Sequence, residues 1–227
     1  MRNAQVLVFD ADDTLWENNV LFERVIDLFL DWVCAPSERV RVRAALDRIE
    51  AANALTLGYG ANMFRQSLHD CRQQLLGCAL TADDIARIEE LVTPLMHRTV
   101  ELISGVPETL AELSDRHDLL LLTKGDPAEQ QRKVNASQLA HHFRSIHIVE
   151  EKNVDTYRGL VNQLGVTPSE TWMIGNSPKS DIIPARRAGL NAVHIPHEHT
   201  WVLEHEEFLD DKATLVLHSF PELLKHF

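Results

Sequence analysis

Short apolar runs that break off into polar residues recur at residues 5–9, 119–122, 146–149, 171–174, 192–195 and 215–217. Each is too short for a helix and lacks the alternation of a half-exposed strand, so each predicts a strand buried on both faces. Helical periods separate most of them. Gly105-Val106-Pro107 opens one, with Leu110 and Leu113 on its apolar side. Asp126-Pro127-Ala128-Glu129 opens another with a capping acid, a proline at the first helical position and a further acid in the first turn. Gly165 closes the helix carrying Tyr157, Leu160 and Leu164, and Gly189 closes the one that begins near Asp181. His141 and His142 read as a helix surface. Strands alternating with helices predict an α/β fold with a parallel sheet covered on both faces.

Residues 15–100 break the alternation. Phe22, Val25, Ile26, Phe29 and Val33 share one helical face, and Pro36 follows its end. Leu46, Ile49 and Asn53 continue a second helix, stopped near Gly58; Phe64, Leu68, Cys71 and Leu75 make a third, ended by Gly77. Thr81 with Asp84 starts a fourth, followed by Ile85, Ile88 and Val92. Four helices inserted after the first strand predict two domains: residues 1–15 with 100–227 form the α/β core, and residues 16–99 form a helical insert.

At 227 residues with 44% hydrophobic content, the chain can bury both cores without disulfides. A formal net charge of −12 repels phosphate backbones and anionic membranes, so neither nucleic acid nor membrane is an expected partner. A small anionic substrate remains possible, because one metal ion and one lysine reverse the field locally. Cys34, Cys71 and Cys78 are too widely spaced for a metal knuckle and odd in number, so they read as buried thiols in a reducing compartment. The apolar run before Asp10 is too short for a signal peptide, and no run approaches membrane-spanning length, so the expected location is cytoplasmic.

Candidate chemistry sits where the strands end. In an open α/β sheet, ligands bind at the carboxyl ends of the strands. Asp10 and Asp12 lie just past the first strand, and residues two apart in extended backbone address the same side, so both can act on one centre. Two carboxylates that close call for a cation. Thr123 ends the second strand before a capped helix, where its hydroxyl and the backbone N–H groups of Lys124 and Gly125 can grip a phosphoryl group. Lys152 follows the third strand and can offset the acids, although a lysine among acids is often only a solvated charge. Asn176 and Asp181 follow the fourth strand and bring oxygen donors suited to magnesium, with Asp181 also able to cap the next helix.

In this order, the four elements resemble the haloacid dehalogenase superfamily. Phe9-Asp10-Ala11-Asp12-Asp13-Thr14-Leu15 is similar to its first motif, Leu122-Thr123-Lys124-Gly125 to its second, Lys152 to its third, and residues 175–181 to its fourth. The resemblance implies a Rossmann-like core, an α-helical cap in the insert, and magnesium-dependent hydrolysis of a small phosphorylated metabolite. Asp10 would be the nucleophile, forming an aspartyl-phosphate, and Asp12 the general acid and base. Thr123 and Lys152 would clamp the phosphoryl group. Magnesium would be held by Asp10, the Asp12 main-chain carbonyl, Asn176 and Asp181. The family usually places an acid where Asn176 stands and a proline where Asn153 stands. In helical-cap relatives the loop joining two cap helices selects substrate, which makes Tyr59, Asn62 and Arg65 candidate contacts.

His194, His197 and His199 allow a zinc site, but their spacing favours a polar loop at the rim. Trp16 reads as packing at the hinge between the domains. The competing functions are a phosphosugar mutase or a haloacid dehalogenase of the same superfamily, and a non-catalytic binding module. Asp12 disfavours the dehalogenase, because a departing halide needs no proton.

Overall fold

The structure is a computed structural model that describes residues 4–97, 99–208 and 211–227. Strand β1 (Val6–Phe9) is followed by four helices: α1 (Asn19–Val33), α2 (Arg39–Leu57), α3 (Ala61–Leu76) and α4 (Ala82–His97). Strands and helices then alternate through α5 (Val106–Ser114), β2 (Asp118–Lys124), α6 (Pro127–Ser137), β3 (Ser145–Val149), α7 (Val154–Leu164), β4 (Thr171–Gly175), α8 (Ile183–Arg187), β5 (Asn191–His194) and β6 (Leu215–Val216). The chain divides into two compact units, Met1–Asn19 with Val100–Phe227, and Val20–Thr99.

In the first unit the six strands form one parallel sheet in the order β3-β2-β1-β4-β5-β6, a Rossmann-like arrangement. The continuous apolar runs follow from burial on both faces. On one face Leu7, Phe9, Leu119, Leu121 and Ile174 pack with Val106, Leu110 and Leu113 of α5 and with Phe220 and Leu223 near the C-terminus. On the other, Val8, Leu120, Leu122 and Met173 meet Tyr157, Leu160 and Val161 of α7 and Ala185 of α8. Register aligns Phe9 with Leu121 on one side and with Ile174 on the other, so β1, β2 and β4 finish close together. Chain order reverses direction across the sheet at β1 and β4, which is where ligands bind in such folds.

The helix expected from Asp181 is divided. A π-helical turn, Pro178–Ile182, carries an Ile182 N–H bond to the Ser177 carbonyl at 3.1 Å, and regular helix begins only at Ile183. Pro184 has no N–H to offer the Ser180 carbonyl four residues back. The buried Tyr157 hydroxyl donates to that carbonyl instead, at 2.8 Å. His141 and His142 lie on a single 3-10 turn, Ala140–His142, not on a longer helix. Of the cysteines, only Cys71 is buried; Cys34 is half-buried and Cys78 exposed.

The second unit is helical and has its own core, with Val25, Ile26 and Phe29 of α1, Val42 and Leu46 of α2, Phe64 and Leu68 of α3, and Ile88 and Val92 of α4. Phe22 and Phe64 meet edge to face at 5.1 Å. The chain leaves the first unit later than the sequence pattern suggests, because Trp16 is buried in the α/β core. The two connecting segments pair with each other: Glu17 N–H donates to the Glu101 carbonyl at 2.9 Å, and Ile103 N–H to the Leu15 carbonyl at 3.0 Å. No described helix is long and apolar enough to cross a membrane.

Candidate active site

The carboxyl ends of β1, β3 and β4 bring Asp10, Lys152, Asn176 and Asp181 together, all buried. The Lys152 ammonium donates to Asp10 Oδ1 at 2.5 Å and to Asp181 Oδ1 at 2.8 Å. The next residue fixes the position of Lys152. Asn153 caps α7, accepting the Thr156 N–H at 3.0 Å, so an asparagine sets the start of the helix beside the lysine. Asp181 Oδ2 accepts the Ser177 N–H at 3.0 Å. A Cβ on Gly175 would lie 2.2 Å from the same oxygen, so the end of β4 has no room for a side chain.

Hydrogen bonds also orient the Asn176 amide. The Thr200 hydroxyl donates to the His197 carbonyl at 3.0 Å, which leaves its lone pair to accept from Asn176 Nδ2 at 3.0 Å. Asn176 Oδ1 therefore faces Thr14, whose hydroxyl lies 3.4 Å from it and donates over the shorter 2.9 Å to Asp10 Oδ2. His194 donates from Nε2 to the Asn176 carbonyl at 3.0 Å, and burial lowers its pKa against the pull of that carbonyl and of Asp181.

Electrostatically the cluster lacks positive charge. Burial first, then Asp181 and Asp12, push the Asp10 carboxyl up to about 7, against the pull of Lys152. Burial also opposes the Lys152 charge, but Asp10 and Asp181 outweigh it and hold the ammonium above its ordinary range. Two buried carboxylates share one ammonium, and the neighbouring neutral donor is an amide oxygen. Such a hard-oxygen set fits a divalent cation, and the side chains of Asp10, Asp181 and Asn176 are the groups here that could hold one.

The β2 end is arranged differently. Thr123 is buried at the end of the strand. The Lys124 ammonium turns to Glu204 at 2.7 Å, Ser180 at 2.8 Å and Glu151 at 3.3 Å, and the Gly125 N–H donates to the Val149 carbonyl at 3.1 Å. Of the backbone N–H groups read from this stretch, that of Gly125 is therefore taken by the sheet, while the Lys124 side chain is paired with neighbouring acids.

The haloacid dehalogenase-like hydrolase family matches residues 4–189. The chain belongs to that family. Over its full length, this haloacid dehalogenase-like hydrolase superposes on a family hydrolase from Xanthomonas campestris with a TM-score of 0.82 and 25% identity, covering 96% of that chain. It is 37% identical over 82 residues to a phosphoserine phosphatase of Thermus thermophilus, covering 34% of this chain and 33% of that protein. It is 34% identical over 105 residues to an N-acylneuraminate-9-phosphatase of Rattus norvegicus, covering 44% of this chain and 42% of that protein. The hydrolase thus spans less than half the length of these curated relatives.

Sequence reading missed the surroundings of Asp12. The Lys133 ammonium donates to both of its oxygens, at 2.9 and 2.8 Å, Gln130 Nε2 to Oδ2 at 2.9 Å, and Trp16 Nε1 to Oδ1 at 2.7 Å. Burial works against the Asp12 charge, but Lys133 and the other donors win and hold this carboxyl below its ordinary range. Trp16 is thus a hydrogen-bond donor as well as a packed ring. The available signal was helical spacing: Gln130, Lys133, Val134 and Ser137 share the buried face of α6, where two long polar side chains need buried partners.

The histidines of the 194–199 stretch do not converge on one another as zinc ligands; His194 is turned to Asn176. His197 instead faces Glu17 at 3.3 Å and Asp13 at 3.8 Å, a group whose ligand atoms lie within 4.8 Å of one another. Two of these three side chains already have partners outside the group. Asp13 accepts the Asn18 and Asn19 N–H groups at 2.9 and 3.0 Å, and His197 Nδ1 accepts the His199 N–H at 3.2 Å. Within the helical unit Tyr59 is half-buried before α3, Asn62 is exposed in the first turn of α3, and Arg65 lies 3.4 Å from Glu89 of α4.

Proposed function

We propose that this hydrolase is a magnesium-dependent phosphatase for small phosphate monoesters. The observation that carries the reading is the buried Asp10–Lys152–Asp181 cluster beside the inward Asn176 oxygen, which leaves one carboxylate in excess at the end of β1. The phosphatase names of the partial relatives point the same way.

In the first step a carboxylate oxygen of Asp10 attacks phosphorus. The bond from phosphorus to the ester oxygen breaks, and that oxygen takes the proton of an Asp12 that enters the step protonated, which Lys133, Gln130 and Trp16 make a stronger acid by favouring its charged form. The product is an acyl phosphate on Asp10. In the second step Asp12 removes a proton from a water that attacks phosphorus, which frees phosphate and restores the Asp10 carboxylate. Magnesium held by Asp10, Asn176, Asp181 and the Asp12 carbonyl would neutralise negative charge on the phosphoryl oxygens. Thr123 orients the phosphoryl group by its hydroxyl, and Lys152 screens Asp10 from the incoming anion. Residues 16–99 act as a cap, with Tyr59, Asn62 and Arg65 choosing among substrates.

The test is turnover of 4-nitrophenyl phosphate and a panel of alkyl phosphates, with magnesium and with chelator. Wild type should release phosphate only with the metal, and Asp10→Asn should lose at least about a thousandfold in kcat while remaining folded. Near wild-type turnover by folded Asp10→Asn overturns the covalent mechanism. Isomerisation of a hexose 1-phosphate in place of hydrolysis would make the protein a mutase.

A further inference from the structure

The buried face of α6 carries Gln130 and Lys133, and both side chains converge on Asp12. A lysine loses rotamer freedom and hydration when it is buried, so its place in a fold needs a compensating partner. Here the nearest partner is the Asp12 carboxylate, met at both oxygens. The same ammonium is held at 3.0 Å by Asn18 Oδ1, and Glu129, one turn earlier on α6, stands 3.5 Å away. Gln130 is anchored as firmly: its Nε2 divides between Asp12 and the Lys124 carbonyl at 2.8 Å, while its Oε1 is buried without a hydrogen-bond partner among the described residues. Its amide is therefore held by what Nε2 donates to. Asp12 has a donor group on each side, and rotation about its side chain would break at least two hydrogen bonds.

Building on the phosphatase reading, we propose that Lys133 and Gln130 are positioning residues for proton transfer, fixing the rotamer in which Asp12 gives a proton to the leaving oxygen and later takes one from water. Lys133 suits this because it touches both Asp12 oxygens. Whichever oxygen carries the proton, the other still accepts from the ammonium, so the side chain stays in place through both steps. Trp16 steadies Oδ1 from the opposite side, and Gln130 sets Oδ2 against the end of β2. Neither Lys133 nor Gln130 reaches phosphorus in this scheme; they act through Asp12.

The effect must therefore follow demand for the proton. An alkyl ester leaves as a strongly basic alkoxide and needs protonation; 4-nitrophenolate does not. Lys133→Met should lower kcat about a hundredfold for the best alkyl phosphate of the panel, less than about tenfold for 4-nitrophenyl phosphate, and leave KM within about threefold for both. In an Asp12→Asn background the same substitution should cost less than about threefold more, because the group it positions is already gone. Gln130→Met, close in shape and uncharged, should show the same pattern at smaller size, and it serves if Lys133→Met does not fold.

Equal losses on the two esters, an undiminished further loss on top of Asp12→Asn, or no loss at all would each overturn the positioning role. Those outcomes are distinct from failure of the phosphatase reading, in which wild type itself turns over no ester of the panel and the grip has no catalytic purpose.

Discussion

Lysine and arginine are divided unevenly between the two units. Residues 20–99 contain no lysine, while all six lysines of the chain lie at or beyond residue 124. In the helical unit, arginines make surface pairs: Arg41 with Glu38, side chains 68% and 48% exposed, and Arg87 with Glu90, 49% and 68% exposed. Arg39 reaches across to Asp27 and Asp31 of α1 in the same manner. In the α/β unit, three of the lysines are turned inward, and Lys152 and Asp181 are each only 1% exposed. A compact ammonium with three donors can sit between two carboxylates, whereas a planar guanidinium demands a fork of space. The helical unit keeps these pairs at its surface around an apolar core, with Arg72 and Asp84, 18% and 9% exposed, more enclosed. The α/β unit accepts the desolvation of charge at the carboxyl ends of its strands.

The sharpest way to break this contrast is to remove one buried cation. Lys152→Met leaves Asp10 and Asp181 buried near one another without their ammonium, and metal-free protein should lose about 3–5 kcal/mol, read by urea unfolding. A loss under about 1 kcal/mol would mean that solvent reaches these acids and that the two units do not differ.

A paired experiment sharpens the contrast by sign. Asp10 has a folded-state pKa raised from 3.8 to about 7, mainly by burial. Its charge weakens the fold progressively as pH rises from about 4, fully so above about 7. Asp10→Asn in chelator should accordingly raise Tm above pH 7, with the gain fading toward pH 4. Asp84, in the helical unit, has its pKa lowered from 3.8 to about 2 by hydrogen bonds from Thr81 and Arg72. Its contribution is complete above about pH 4 and disappears as pH falls through about 2. Asp84→Asn should lower Tm at pH 5 and above, and the deficit should shrink under acid. Thermal scans from pH 2.5 to 8 check both; shifts of the same sign would refute the comparison.

The smallest expected effect belongs to the exposed pairs. Arg41→Ala should cost less than about 1 kcal/mol, and the difference should shrink further in 1 M salt.

Much of this architecture is legible in the sequence, because a parallel sheet buried on both faces leaves unbroken apolar runs such as Leu119-Leu120-Leu121-Leu122. The strand-end positions of Asp10, Lys152 and Asn176 follow from the same runs. What sequence does not reveal is direction. Lys124 stands next to Thr123 in a motif, yet its ammonium turns to Glu204, a residue 80 positions away. Lys133 sits in a helix of low overall hydrophobicity and looks like solvent-facing charge until its buried neighbours on α6 are counted together. The divided helix after β4 was written in Pro184, whose missing N–H sends the Ser180 carbonyl to Tyr157. Side-chain partners distant in the chain leave no local trace, whereas backbone arithmetic does.

The pairing of Glu17 with Glu101 and of Leu15 with Ile103 gives the insert a property beyond its packing. A segment whose two ends depart side by side behaves, for the parent domain, as an overgrown hairpin loop. Its closure rests on hydrogen bonds outside its own helices, and the entropic cost of closing a longer loop grows only with the logarithm of its length. Residues 20–99 are thus an exchangeable cassette: evolution can lengthen, replace or discard them at one junction without redrawing the sheet.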